Sequence, residues 1–198
     1  MPPSTSTPIP AAAPRFDPAL SSLDDLLPHE GVLTPAELEE LARDVALRAD
    51  LWEPLVRADR SRRRYELLFE DDRLDAWVLS WMPGQATGFH DHDVCGVGLA
   101  VARGHVREDW MRYAGGHVEW RLGPGDSRAG GPGYVHRVQH AEGEPAVTIH
   151  VYSPRLDWVG QYRVDDEGIV RREVQPGRRE LTAQVLAEGT LGSALERF

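Results

Sequence analysis

His90-Asp91-His92 places two imidazoles two positions apart. On an extended strand such residues project from the same face, so both rings can enter a barrel together and chelate one ion. A further histidine, His136, ends the turn-rich stretch Gly131-Pro132-Gly133-Tyr134-Val135-His136. The competing reading is that these rings satisfy hydrogen bonds in a polar barrel interior. Imidazole ligands suit Fe, Ni, Co, Cu and Zn alike, so spacing alone leaves the metal open. Of the other histidines, His105, His117 and His140 are expected at the surface or barrel rim, with His140 near enough in sequence to support His136, and His29 is expected to play no part. All 22 basic residues are arginine, which excludes Schiff-base chemistry on lysine.

The elements that must position these rings are legible in the periodicity. Thr34-Pro35-Ala36-Glu37 is a capping box with proline at the first helical position. Leu38, Leu41, Val45 and Leu47 then form an apolar stripe to about Ala49, which predicts a helix. A shorter helix is expected near 17–27. Beyond Arg64 the period shortens, and strands are expected over 65–69, 74–82, 96–102, 117–122, 134–139 and 146–153, separated by Gly, Pro and Asp turns. Many short strands at close spacing predict an all-β sandwich or barrel.

Residues 1–16 read as a Pro/Ala/Ser leader too poor in apolar surface to fold, 17–180 as a single domain, and 181–198 as a helical tail. The net charge of −10 disfavours nucleic acid and anionic membranes as partners. A single cysteine, Cys95, excludes an internal disulfide framework and suggests a reducing compartment. With no signal peptide and no long apolar run, a cytoplasmic protein is expected, monomeric or weakly dimeric.

The glycines around the histidines, Gly84, Gly104, Gly125 and the Gly131–Gly133 turn, together with His90-x-His92 and His136, resemble the two sequence motifs of the cupin superfamily. That resemblance implies a double-stranded β-helix, or jelly-roll, barrel. The proline of the second motif is shifted by one, to Pro132. The glutamate usual after the second histidine is replaced by Gly96 and Val97, which implies a three-histidine site without a carboxylate ligand. Three neutral imidazoles leave an ion its full charge and about three open positions, suited to an anionic chelating substrate and O2 together.

At finer grain, Trp81-Met82-Pro83-Gly84, Phe89-His90-Asp91-His92, His136-Arg137-Val138 and residues 145–154, ending His150-Val151-Tyr152-Ser153-Pro154, resemble the thiol dioxygenases, cysteine dioxygenase in particular. The resemblance implies Fe(II) on His90, His92 and His136, and addition of both atoms of O2 to the sulfur of L-cysteine to give cysteine sulfinate. It implies that Arg64 pairs with the substrate carboxylate and that Tyr152 directs its hydroxyl into the site. Thr148 and His150 would stand behind Tyr152 as an orienting relay. The cysteine that mammalian-type members link to the tyrosine is replaced by Val97, so no cross-link is expected and Cys95 should be free. The alternatives are another small thiol such as 3-mercaptopropionate, another sulfur-oxidised product in a biosynthetic pathway, or a non-catalytic metal-dependent cupin sensor.

Overall fold

A computed structural model describes residue 27 and residues 31–112, 116–167 and 169–177. The leader, the expected helix near 17–27 (apart from Leu27) and the C-terminal tail lie outside the described residues. Helix α1 (Pro35–Leu47) starts as its capping box dictates: Thr34 Oγ1 accepts from the Glu37 amide, and Glu37 Oε2 accepts from the Thr34 amide at 2.7 Å. Its buried stripe is Leu38, Leu41, Ala42 and Val45, whereas Leu47 is exposed. Arg48 leaves helical dihedrals, so the single helix expected to Ala49 breaks there and a short α2 (Ala49–Trp52) follows.

The rest is sheet. The strands are β1 (Arg64–Glu70), β2 (Asp75–Trp81), β3 (His90–Asp91), β4 (Gly96–Met111), β5 (His117–Leu122), β6 (Ser127–Gly130), β7 (His136–Ser153), β8 (Trp158–Val164) and β9 (Val170–Pro176). All pairings are antiparallel, in the order β1-β2-β7-β3-β8-β9, with β4 running along β7 and pairing also with β5 and β6. This curled sheet is the all-β cupin architecture expected. Two of its features differ from the sequence reading. The segments expected at 134–139 and 146–153 are one long strand, β7, and β6, β8 and β9 were not expected.

The sheet separates two apolar cores. On β2, Ala76 and Val78 face the helices, while Trp77, Leu79 and Trp81 face the barrel interior. On β7, Val147, Ile149 and Val151 pack with α1, and Ala146 and Tyr152 point inward. Period-two alternation thus puts apolar residues on one face and leaves the other for chemistry. Helix α1 sits directly on β4, where a Cβ built on Gly98 would lie 2.1 Å from the Leu38 carbonyl oxygen. Backbone cannot yield as a side chain end can, so Gly98→Ala should destabilise the protein by about 1–3 kcal/mol or more. The check is a shifted denaturation midpoint, and an unchanged midpoint would mean that the helix rides loosely on the sheet.

Candidate metal centre

The ligand strand β3 is two residues long and is held between β7 and β8, with His90 registered against His136 on one side and Gln161 on the other. Asp91, pointing the opposite way from its histidine neighbours, anchors it from behind. Its carboxylate accepts from Arg172 Nε at 2.8 Å, Arg172 Nη2 at 2.7 Å and the Tyr162 hydroxyl at 2.6 Å. Burial opposes ionisation of Asp91, but the hydrogen bonds from Arg172 and Tyr162 outweigh it and hold the group at about 2. Asp93, whose amide donates to Asp91 Oδ1, takes φ +55, and its carboxylate also receives Arg172. The turn leaving β3 is therefore fixed by charge-assisted bonds to β9.

His90, His92 and His136 present one nitrogen each, all within 4.8 Å of one another, and all three residues are buried. His90 Nδ1 donates to the Gly88 carbonyl at 3.0 Å, which leaves Nε2 with its lone pair. His136 Nδ1 lies 2.6 Å from Glu108 Oε1. Among the described residues, Nε2 of His92 and Nε2 of His136 are buried without a hydrogen-bond partner, although buried polar atoms in folded proteins are nearly always satisfied. Burial, then mutual repulsion, pushes His90 and His92 well below the usual imidazole range. Close and aimed together, these nitrogens fit a metal cation. A second group, Asp109, His117 and Glu119, also comes close. Arg137 and Arg107 already hold the Asp109 carboxylate there, and their charge opposes a cation.

A small pocket beside these rings is lined by Arg63, Leu79, His150, Tyr152, Leu156 and Val159 together with His90 and His92. A relay runs along the inner face of β7. Trp81 Nε1 donates to Thr148 Oγ1 at 2.8 Å, Thr148 Oγ1 lies 3.0 Å from His150 Nε2, and His150 Nδ1 lies 3.2 Å from the Tyr152 hydroxyl. With the indole donating to Thr148, its hydroxyl hydrogen can go to His150 Nε2. Nδ1–H then donates to Tyr152, which turns the phenolic hydrogen toward the pocket. The Tyr152 ring lies 4.9 Å from that of His92. His150 is pushed well down by burial, then by His136 and Arg63.

The arginine assignment needs correction. Arg64 faces away from the pocket: its side chain is 38% exposed and bonds Asp59 at 2.9 Å. Arg63 is 2% exposed, lines the pocket and lies over the Trp81 ring at 4.9 Å. The register explains the difference. Arg64 pairs with Ser80, whereas Tyr65 pairs with Leu79 and Leu67 with Trp77, both inward. Arg63 shares the parity of Tyr65 and Leu67, and a slip of one residue exchanges faces. The apolar alternation of Tyr65 and Leu67 was the available signal. Sequence reasoning also missed Trp81 as the donor to the relay, and Glu108, which shares the inward parity of Val106 on β4. His140 bonds the Glu144 carbonyl and is not joined to His136 by a hydrogen bond.

A family model described as cysteine dioxygenase type I matches residues 8–165. The chain belongs to this family. Similar solved structures include a protein from Thermus thermophilus (23% identity, 52% of this chain and 93% of that one, TM-score 0.47). Others are an uncharacterized conserved protein with a double-stranded β-helix domain from Klebsiella pneumoniae (22% identity, 52% and 80%, TM-score 0.47) and a cupin superfamily protein from Desulfitobacterium hafniense (13% identity, 52% and 87%, TM-score 0.44). As a cysteine dioxygenase family member, the protein is a thiol dioxygenase with a metal site. Val97, at the position of the family's cross-linking cysteine, is the residue registered against Tyr152. Cys95 is instead buried with its thiol toward the Arg155 carbonyl at 3.3 Å, and burial pushes it up to about 12.

The buried histidines give the metal-free protein a signed pH dependence. His90, His92 and His150 titrate near 6.5 when unfolded and well below that when folded. Below about pH 6.5 the unfolded chain therefore binds up to three more protons at these sites, and stability falls with pH. Asp75 acts oppositely: burial raises it to about 7, so between about 4 and 7 the folded state keeps one proton that the unfolded state has lost. The histidines outweigh it. The denaturation midpoint of the metal-free protein should fall from pH 6.5 to pH 5, at about 1.4 kcal/mol per pH unit for each unbalanced proton. A midpoint that holds or rises over that range would contradict the burial assignment.

Proposed function

We propose that this protein is an Fe(II)-dependent dioxygenase that converts L-cysteine to cysteine sulfinate, with His90, His92 and His136 as ligands and Arg63 as the carboxylate-binding residue. The observation that carries the reading is a buried guanidinium in the same small pocket as Tyr152 and two of the three converging imidazoles, His90 and His92. A guanidinium grips a carboxylate through two parallel bonds, and the Trp81 ring beneath it supplies a cation–π contact that holds its plane. The substrate is thus held at one end while its sulfur is directed to the histidines. Fe(II), when bound, supplies the redox chemistry that joins O2 to sulfur.

Tyr152 donates from the pocket wall toward the place where negative charge develops on oxygen. His150 and Thr148 are positioning residues that hold that hydroxyl in one orientation. Leu79, Leu156 and Val159 keep the pocket apolar and limit water, which strengthens each polar contact within it. Among the described residues no helix is long and apolar enough to cross a membrane. We place the protein in the cytoplasm, as a monomer or weak dimer, because a lone buried cysteine suits a reducing compartment.

The test is O2 uptake by anaerobically iron-loaded protein with cysteine, 3-mercaptopropionate and cysteamine, with product masses measured. Cysteine should be preferred and should gain two oxygen atoms. If cysteamine, which lacks the carboxylate, is turned over equally well, the carboxylate assignment is wrong. If no thiol gains oxygen while the protein holds iron, the enzymatic reading is wrong.

Substitution separates the two neighbouring arginines. Arg63→Ala removes a buried charge-assisted partner, worth about 2–5 kcal/mol, so kcat/KM for cysteine should fall about 30-fold or more while that for cysteamine changes little. Arg64→Ala removes a surface pair worth about 0–1 kcal/mol and should leave both substrates near parental values. The opposite order would return the role to Arg64.

A further inference from the structure

The ligand set contains no carboxylate, yet a buried carboxylate stands directly behind one of its members. Glu108, inward-facing on β4, registers against Val138 and has Trp110, registered against His136, two positions away. Glu108 and His136 are each 1% exposed, and Oε1 lies 2.6 Å from His136 Nδ1. The same oxygen accepts from the Tyr134 hydroxyl at 3.3 Å. Tyr134 packs against the His136 ring at 5.1 Å and stacks on Trp110, which stacks on Trp120. The His136 ring is thus fixed from the side away from its unpartnered Nε2. His90 Nδ1, by contrast, donates to a neutral carbonyl.

We propose that Glu108 is the positioning residue for His136, fixing its tautomer with Nδ1 protonated and Nε2 toward the metal, and supplying across one imidazole ring the negative charge that the three-histidine ligand set lacks. This rests on the metal site assigned above. A carboxylate accepting from Nδ1–H does three things. It leaves Nε2 with a lone pair, holds the ring plane, and raises the basicity of the ligating nitrogen. It also offsets, in a buried setting, part of the charge that a ligand set without a carboxylate leaves on a divalent cation. The Tyr134 hydroxyl holds the carboxylate oxygen in place and is supported by the aromatic stack, so the orientation is set by packing as well as by charge.

The variants separate hydrogen bond from charge. Glu108→Gln keeps an acceptor for Nδ1–H and removes the charge, while Glu108→Ala removes both. Affinities for Fe(II), held anaerobically, and for Co(II) are measured by competition against a chelator, and melting is recorded without metal. The parent should bind one ion. Glu108→Ala should bind about 10- to 100-fold more weakly, Glu108→Gln should lie between the two, and the metal-free melting of Glu108→Gln should stay close to that of the parent. The visible spectrum of the Co(II) form should shift in both variants, which a merely structural residue would not cause. If Glu108→Gln binds as tightly as the parent with the same Co(II) spectrum, the proposal of charge compensation is overturned. If Glu108→Ala, melting as the parent does, also binds with parental affinity, the positioning role falls as well. A Glu108→Ala variant that does not fold leaves the decision to Glu108→Gln. A parent that binds neither ion overturns the metal assignment itself.

Discussion

Val147, Ile149 and Val151 of β7 lie against α1, and between them Thr148, His150 and Tyr152 project into the barrel. This strand, apolar on one side and polar on the other with both sides dry, is the constraint from which the site follows. The outer face supplies the stabilisation, about 1.5–3 kcal/mol for each branched side chain taken fully out of water. The inner face can then carry hydroxyls and imidazoles that contribute little to folding and must be satisfied one by one. The Trp81–Thr148–His150–Tyr152 chain does this. Each member finds its partner on the same inner face, on β7 itself or on β2 across the ladder. If α1 were removed, that strand would have one wet face, and the relay would lose the low-dielectric surroundings that give its bonds their strength.

Burial of so many polar groups is tolerated because charge is placed sparingly. His90, His92 and His150 are held neutral by desolvation. The buried charges are pinned: Asp91 by Arg172, Asp109 by Arg137, and the Arg63 guanidinium packed on Trp81. An unpartnered ion in such an interior would cost several kcal/mol. On the proposed function, such a site takes opposite charges from outside, a cation on the histidines and a carboxylate beside Arg63.

How much of this was readable from sequence depended on how local the signal was. The capping box at Thr34 and the His90-x-His92 pair are local patterns with one physical meaning, and both appear as expected. The all-β class followed from turn spacing. The arginine was misread because adjacent Arg62, Arg63 and Arg64 are chemically equal. Only strand parity, carried by Tyr65 and Leu67, distinguishes which one faces inward. Glu108 was missed for a related reason. A lone acid in a charged strand looks solvated until its register with Val138 is known, and that register belongs to tertiary structure. β8 and β9 escaped notice because their sequences alternate weakly: β9 is nearly all exposed and is held by its ladder and by Arg172, not by an apolar face.

The clamp of Arg172 on Asp91 has a consequence for how the protein comes into being. A chain leaves the ribosome from its N-terminus, so His90 and His92 emerge long before their third partner and longer still before the guanidinium that fixes the turn behind them. Until residue 172 has cleared the exit tunnel, the turn that carries His92 lacks its charge-assisted bonds to β9. The ion-holding cradle is thus among the last features of the domain to exist during synthesis. A stop between His136 and β9 yields a chain with all three ligands but without the guanidinium that fixes the turn carrying two of them.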